Sequence, residues 1–431
     1  MRRLFFGTMC VIAVLTKTDP QSAHEYSRLG TVESIVVRGT YQLDDSGFIG
    51  TLDKIYRDGH YYSHQPPLLA TIEAPVYWLL HLPGTRFNNR GRFVMTYAFS
   101  LLTNGIALAL TVIVFARILA LAGVLPPARD WLAVLLPFGT WLLPYGIVAN
   151  NHGISGLLVA LLAYLLLLIE WHGITNIRAL AVGGVLGLLV GIEVLPIISF
   201  VPLTVIYLVV RRDLDARAWL GVGAAFILPL FVHAIINVRI TGDVIPAGFH
   251  HELFNYPGSV FDDSSLTGGM KYDSLSGVAS YGWSSLFGGK GFLTFAPLCL
   301  LGLAAGFIAW DGWSRARGVH LVMLGSVIIS IGAALMTTNN YGGEAVGFRH
   351  LAHLAPAFMT LLLPWIVDGP NGIRPRTYAV IGVAVVSCGS MLAFAARNPW
   401  SVLSLSAAPI GTWDQYVPLI AKLVRGNLFN P

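Results

Sequence analysis

The chain has 431 residues, of which 55% are hydrophobic and only 11% charged, with a mean hydropathy of +0.67, whereas soluble domains carry about 25% charged residues. So apolar a chain has too little polar surface to coat a water-soluble core. Its net charge of +5 is spread through short loops, without the basic tract or aromatic-interleaved patch of a nucleic-acid binder, and membrane topology accounts for it better.

Met1-Arg2-Arg3 followed by Leu4 to Leu15 has the charged-then-apolar profile of a signal peptide, but no small-x-small cleavage site follows. We read an uncleaved first helix, short of the ~20 residues of a full span. The polar stretch Lys17 to Gln65 is too hydrophilic to cross a bilayer. It predicts a loop of about 50 residues, a length usually kept for function. Pro66 to Leu82, interrupted by Glu73 and Pro75, reads as an in-plane or re-entrant helix.

The apolar runs that follow are Phe93 to Ala116, Trp131 to Val148, Gly153 to Ile169, Ala179 to Val194 and Ile197 to Val210. Beyond them come Trp219 to Ile236, Gly291 to Trp310, Val319 to Met336, Leu351 to Val367 and Tyr378 to Ala395. With the first helix they predict about eleven spans. If the N-terminus is cytoplasmic, the connectors holding Arg117/Arg129, Arg178, Arg211/Arg212/Arg217, Arg315/Arg317 and Arg374/Arg376 all fall inside, as the positive-inside rule requires.

The expected layout is a single transmembrane domain: first helix 1–16, outer loop with in-plane helices 17–92, helices two to seven over 93–238, outer loop 239–290, helices eight to eleven over 291–395 and outer tail 396–431. Gly183, Gly187 and Gly191, four apart, predict a close helix contact. No internal repeat pairs two halves of the chain, and Cys10, Cys299 and Cys388 lack metal or redox spacing and read as packing residues.

In this topology the residues capable of chemistry crowd the outer face. Leu29, Val32, Ile35 and Val36 share one face of a predicted helix over Glu25 to Arg38, which would lie on the membrane with its polar face in water. Asp19, Glu25 and Glu33 would then sit near the headgroup plane, where a carboxylate can serve as a general base; the competing reading is a solvated acidic face. Asp53 and Lys54 lead into His60, Tyr62, His64 and Gln65 just before Pro66-Pro67. His60 and His64 have metal spacing only on a helix, and the prolines argue against one there.

Asn150-Asn151-His152 forms an outer turn, with Asn151 as a helix N-cap in its plainer reading. Arg349, in a turn that also holds Tyr341 and Glu344, has the planar fork that grips phosphate or carboxylate, against a plainer role as a snorkelling helix-end cation. His250, Lys271 and Lys290 add basic groups in the large loop, and Gly288-Gly289-Lys290-Gly291 lacks the preceding strand of a P-loop.

Together these motifs resemble the GT-C superfamily of membrane glycosyltransferases, in particular the branch of protein mannosyltransferases and lipid A aminoarabinose transferases. The resemblance rests on Glu25-Tyr26-Ser27-Arg28 through Gly39-Thr40-Tyr41 and on Tyr62-Ser63-His64-Gln65-Pro66-Pro67-Leu68. Asn339-Asn340-Tyr341-Gly342-Gly343-Glu344 with Gly347-Phe348-Arg349, and Gly288-Gly289-Lys290-Gly291-Phe292, add to it.

The resemblance implies an all-α bundle that transfers a sugar, with inversion, from a polyprenyl-phosphate donor to a lipid, glycan or protein acceptor on the outer face of a bacterial inner membrane. It selects Glu25, three residues before Arg28, over Asp19 as the base, with Arg349 and Lys290 on the leaving phosphate. Two departures stand out: Glu25 where many members have Asp, and Gln65 where they have Lys before Pro-Pro, which passes that charge to His64, Lys290 or Arg349. Some members use a divalent metal; this chain has no clear aspartate pair for one, and the cofactor stays open. A transporter or flippase, with Glu193 and Pro196 marking a broken helix, and a non-catalytic scaffold are the alternatives.

Overall fold

In a computed structural model, residues 1–81, 92–211, 214–261, 266, 269–288, 291–308, 316–342, 345, 347–367 and 377–396 are described. They form a helical membrane fold. Five helices are long and apolar enough to cross a bilayer: Phe93–Leu121, His152–His172, Ala216–Thr241, Arg317–Thr337 and Ala379–Ala396. Asn176–Ile192, Leu195–Arg211 and Pro297–Ile308 are shorter apolar helices.

The predicted run Trp131 to Val148 is two pieces, Ala128–Phe138 and Leu142–Gly146. Pro137 and Gly139 lie at the break, where a proline and a glycine both weaken helix continuity. The run Leu351 to Val367 is broken as well, into a 3-10 segment Arg349–Leu354 and short helices Ala355–Leu361 and Leu363–Ile366.

Much of the surface of these helices is apolar, as a bilayer-facing surface must be. On Ala216–Thr241, Leu220, Ile227, Leu228 and Phe231 are all exposed, an arrangement that in water would leave an apolar stripe unburied. The opposite side of the same helix packs on Asn176–Ile192 through the glycines. A Cβ on Gly183 would stand 2.2 Å from the Val222 carbonyl oxygen, and one on Gly187 would stand 2.3 Å from that of Phe226. Backbones this close leave no room for a side chain. Gly187→Val is therefore expected to lower the Tm in detergent by the equivalent of about 1–3 kcal/mol. Gly184→Ala, whose Cβ meets nothing within 4 Å, is expected to leave it unchanged or slightly raised.

The first outer loop departs from expectation in two ways. Lys54–Arg57 (β1) and His60–Ser63 (β2) pair as an antiparallel hairpin, with Lys54 opposite Ser63 and Arg57 opposite His60. Asp58-Gly59 makes its turn, both residues at positive φ (52° and 89°), the backbone that a two-residue hairpin loop demands. A small β element thus stands inside an otherwise helical protein.

The second departure concerns Ala23–Arg38 (α1), whose polar face is turned into the protein rather than toward water. Glu25, Ser27, Arg28, Thr31, Glu33 and Ser34 are buried together with Leu29 and Val32. The carboxylate of Glu33 accepts from Ser46 Oγ at 2.6 Å and Gly47 N at 3.0 Å, satisfying a charge that would otherwise be costly to bury. The helix packs on Pro67–His81 (α2), whose Glu73 is also buried.

Candidate functional site

The start of α1 is a capping box, Ser22-Ala23-His24-Glu25. Glu25 N donates to Ser22 Oγ at 3.4 Å, Ser22 Oγ lies 3.2 Å from Glu25 Oε1, and Gln21 N donates to Glu25 Oε2 at 3.2 Å. This fixes the carboxyl at the helix entrance with only 1% exposure. Burial raises its pKa to about 7, against the lowering effect of the Gln21 and Ser22 hydrogen bonds and the nearby Arg28 charge. A carboxyl poised near neutrality can take a proton from a hydroxyl group.

One residue before it, His24 reaches the hairpin side of the loop. Its Nδ1 lies 2.5 Å from Asp53 Oδ2, and its Nε2 is in contact with an Arg349 guanidinium nitrogen. Burial lowers the His24 pKa to about 4, helped by Arg349 and opposed by Asp53, so the ring is neutral near pH 7. A neutral imidazole has one donor and one acceptor nitrogen, and these neighbours assign them: Nδ1–H to Asp53, Nε2 accepting from Arg349. Burial would raise the Asp53 carboxyl, but the His24 and His64 rings and Arg349 outweigh it and hold it well below the usual carboxylate range. The result is a relay, Asp53 to His24 to Arg349, that aims the guanidinium.

Gln65 sits inside this group. Its Nε2 contacts His24 Nδ1 and lies 2.9 Å from His64 Nε2 and 3.4 Å from Asp53 Oδ2. His64 Nδ1 is 3.3 Å from Asp53 Oδ1. The turn into Pro66-Pro67 therefore delivers both His64 and Gln65 to the Asp53 carboxylate.

Arg28 is the second buried cation, 3% exposed, with Nη2 donating to Asn151 Oδ1 at 3.4 Å. Its Nε and Nη1, like the Nε of Arg349, have no hydrogen-bond partner. Burial lowers the pKa of each guanidinium, while surrounding carboxylates raise it. Two buried guanidiniums with unpaired N–H groups make a site for an anion, since leaving such donors unsatisfied costs about 1–3 kcal/mol each. A small pocket opens beside Arg28, lined also by Thr31, Tyr41, Ser63, Gln65 and Pro66-Pro67.

Asn151 does not cap His152–His172 with its side chain. It bridges instead, donating through Nδ2 to Glu193 Oε1 at 2.5 Å while accepting from Arg28. His152 Nδ1 meets the same Glu193 oxygen at 2.9 Å, and Asn150 Oδ1 accepts from His152 N at 2.9 Å.

The structure thus gathers Glu25, Arg28, Asp53, His64, Gln65, Asn150, Asn151, His152 and Arg349 into one buried polar network. Other expected site residues make their described contacts elsewhere. Lys54 Nζ donates to the Ile49 carbonyl and lies over the Tyr61 ring, His60 turns to Asp44, and the Tyr62 hydroxyl accepts from Gln42. His250 bridges Asp243 and Glu252, Lys271 N donates to the Met336 carbonyl, and Tyr341 N donates to the Tyr281 hydroxyl. The backbone carbonyl of Asp19 accepts from Gln21 Nε2. Lys290 and Glu344 lie outside the described residues.

Four residues in or beside this network are absent from the sequence-based site: His24, Glu73 and His353, and Glu193, which figured only as the mark of a broken helix. Each carries a signal in retrospect. Glu73 and Glu193 are isolated carboxylates in apolar runs, His24 adjoins the Glu25 motif, and His353 lies one helical turn beyond Arg349.

No family model and no curated protein matches the sequence. Solved structures do match the fold. The chain is similar to the Archaeoglobus fulgidus oligosaccharyltransferase tethered with an acceptor peptide, with a TM-score of 0.52 and 13% identity over 92% of this chain and 55% of that one. It is also similar to ArnT from Cupriavidus metallidurans bound to undecaprenyl phosphate, with a TM-score of 0.51 and 13% identity over 99% of this chain and 72% of that one. The chain spans about half the length of the oligosaccharyltransferase, 56% in its apo form. Both proteins are GT-C glycosyltransferases, and the chain has a GT-C-like fold.

Proposed function

We propose that this protein is a membrane glycosyltransferase that moves a sugar from a polyprenyl-phosphate donor to a hydroxyl-bearing acceptor on the extracytoplasmic face, with inversion. The observation that carries the reading is a pair of buried guanidiniums with unpaired donors, Arg28 and Arg349, in the same network as a buried carboxyl of pKa about 7. The acceptor oxygen attacks the anomeric carbon as the bond from that carbon to the phosphate oxygen breaks. Glu25 takes the acceptor proton, and polyprenyl phosphate leaves with the bonding electrons. Arg28 and Arg349 offset the charge that grows on the phosphate as it departs. Asp53 and His24 act on Arg349 and hold its fork in place, so that this arginine takes up the charge that the lysine before Pro-Pro supplies in the resembling family and that Gln65 lacks.

About eleven crossings with the network at the outer end accord with the arginine distribution of the loops, and they make a bacterial inner membrane the expected location. The acceptor is a lipid, a glycan or a protein. A transporter reading leans on Glu193, whose carboxylate is already engaged by Asn151 and His152.

Lipid binding tests the anion site directly. Polyprenyl phosphate is expected to raise the Tm of the protein in nanodiscs, polyprenol is not, and Arg28→Ala/Arg349→Ala is expected to lose the response. Equal shifts with both lipids would remove the phosphate site from the account.

A further inference from the structure

A second group of ligating side chains lies on the other side of Asn151. His152 stands at the first turn of His152–His172, Glu193 at the C-terminal end of Asn176–Ile192, and His353 within the 3-10 segment Arg349–Leu354. One ligand atom from each lies within 4.8 Å of the others. We propose that His152, Glu193 and His353 bind a divalent transition metal of the zinc class.

The burial and the unmet hydrogen bonding of His353 point to a ligand. It is 0% exposed, and neither ring nitrogen has a hydrogen-bond partner of good geometry. A polar group buried in that condition destabilises the fold unless a partner is supplied. The groups that face it are Glu193 and His152, which hydrogen-bond each other through Oε1 and Nδ1, together with the carbonyl of His350. A metal here would take the place of the proton shared by His152 and Glu193 and give a ring nitrogen of His353 the partner it lacks. Tetrahedral zinc with bonds of about 2.1 Å sets its ligand atoms about 3.4 Å apart, close to the 2.9 Å between His152 Nδ1 and Glu193 Oε1. Two imidazoles with one carboxylate suit zinc and its neighbours and are poor ligands for magnesium or calcium, which take oxygen.

The surroundings have the form of an outer shell that orients metal ligands. Asn151 Nδ2 donates to Glu193 Oε1, the Tyr145 ring packs on His152 at 5.7 Å, and the His350 carbonyl faces the His353 ring. The group His24, Asp53 and His64 is equally compact but differs in one respect. There the Gln65 amide nitrogen touches all three side chains and the Arg349 cation touches His24. At the second group neither ring nitrogen of His353 has a hydrogen-bond partner of good geometry.

A metal at the second group would tie together the outer ends of three elements. It would fix Asn151, which holds Arg28, and the segment that begins with Arg349. The inference stands apart from sugar transfer, because its readout is metal content. Protein purified in detergent in metal-free buffer is loaded with zinc, dialysed and analysed by plasma mass spectrometry. Wild type and His64→Ala are expected to retain stoichiometric zinc, while His353→Ala and Glu193→Gln lose affinity by tenfold or more. Cobalt loading is expected to give the visible ligand-field band of a tetrahedral site in wild type and His64→Ala, and not in His353→Ala or Glu193→Gln. Glu193→Gln preserves shape should His353→Ala fail to fold. Zinc retained equally by wild type and Glu193→Gln, lost from His64→Ala instead, or not retained by wild type at micromolar free metal, overturns the proposal.

Discussion

Replacing Glu25 by Gln is expected to lower sugar transfer by about 10²–10⁴-fold, the usual contribution of a positioned general base. The pH profile separates this role from a purely structural one. With its pKa near 7, the carboxyl is protonated below neutrality and cannot accept a proton, so the rate should climb with pH and level off above about 7. In Glu25→Gln that limb should vanish. Ser22→Ala breaks the same capping box and should cost about 1 kcal/mol of stability, yet it leaves the carboxylate in place and should keep the limb. A rising limb that survives in Glu25→Gln would assign the base to another group.

Arg349→Ala is expected to reduce kcat by about 10²–10³-fold, because the guanidinium is asked to stabilise charge that develops on the leaving phosphate. KM for the donor should rise less, since the same charge is only partly present in the ground state. Arg349→Lys restores the charge but not the two-pronged geometry, and it should recover only part of the loss. His24 supplies an internal check. Arg349 is among the influences that depress its pKa, so removing the guanidinium should shift the His24 titration upward, readable by NMR of labelled histidine. A kcat unchanged in Arg349→Ala would place the phosphate elsewhere.

How far the site could be read in the sequence depended on the reach of each contact. Glu25 and Arg28 share one helix, and His64 and Gln65 flank Pro66, so local motifs identified them. The contact between His24 and Arg349 joins residues 325 apart, and that between His152 and Glu193 joins residues 41 apart, through folding that no local pattern records. Periodicity also misjudged α1. Its apolar stripe fits a surface helix, but Glu33 and Arg28 find partners inside the protein, and those contacts favour burial. The hairpin is hard to see for a different reason: Asp58-Gly59 is a strong turn signal, but the strands on either side are only four residues each and carry little apolar alternation. Apolar runs were the easiest to read, because in lipid every backbone hydrogen bond must close within the segment.

The most direct test of sugar transfer follows the bond that must break. Purified protein in nanodiscs is given a panel of radiolabelled polyprenyl-phosphate sugars with membrane extract as acceptor. Free polyprenyl phosphate and the anomeric configuration of the transferred sugar are then measured. The expected result is release of polyprenyl phosphate in step with sugar transfer, from at least one donor, with the configuration inverted. Donors that all stay intact, whether or not they cross the membrane, would contradict the account.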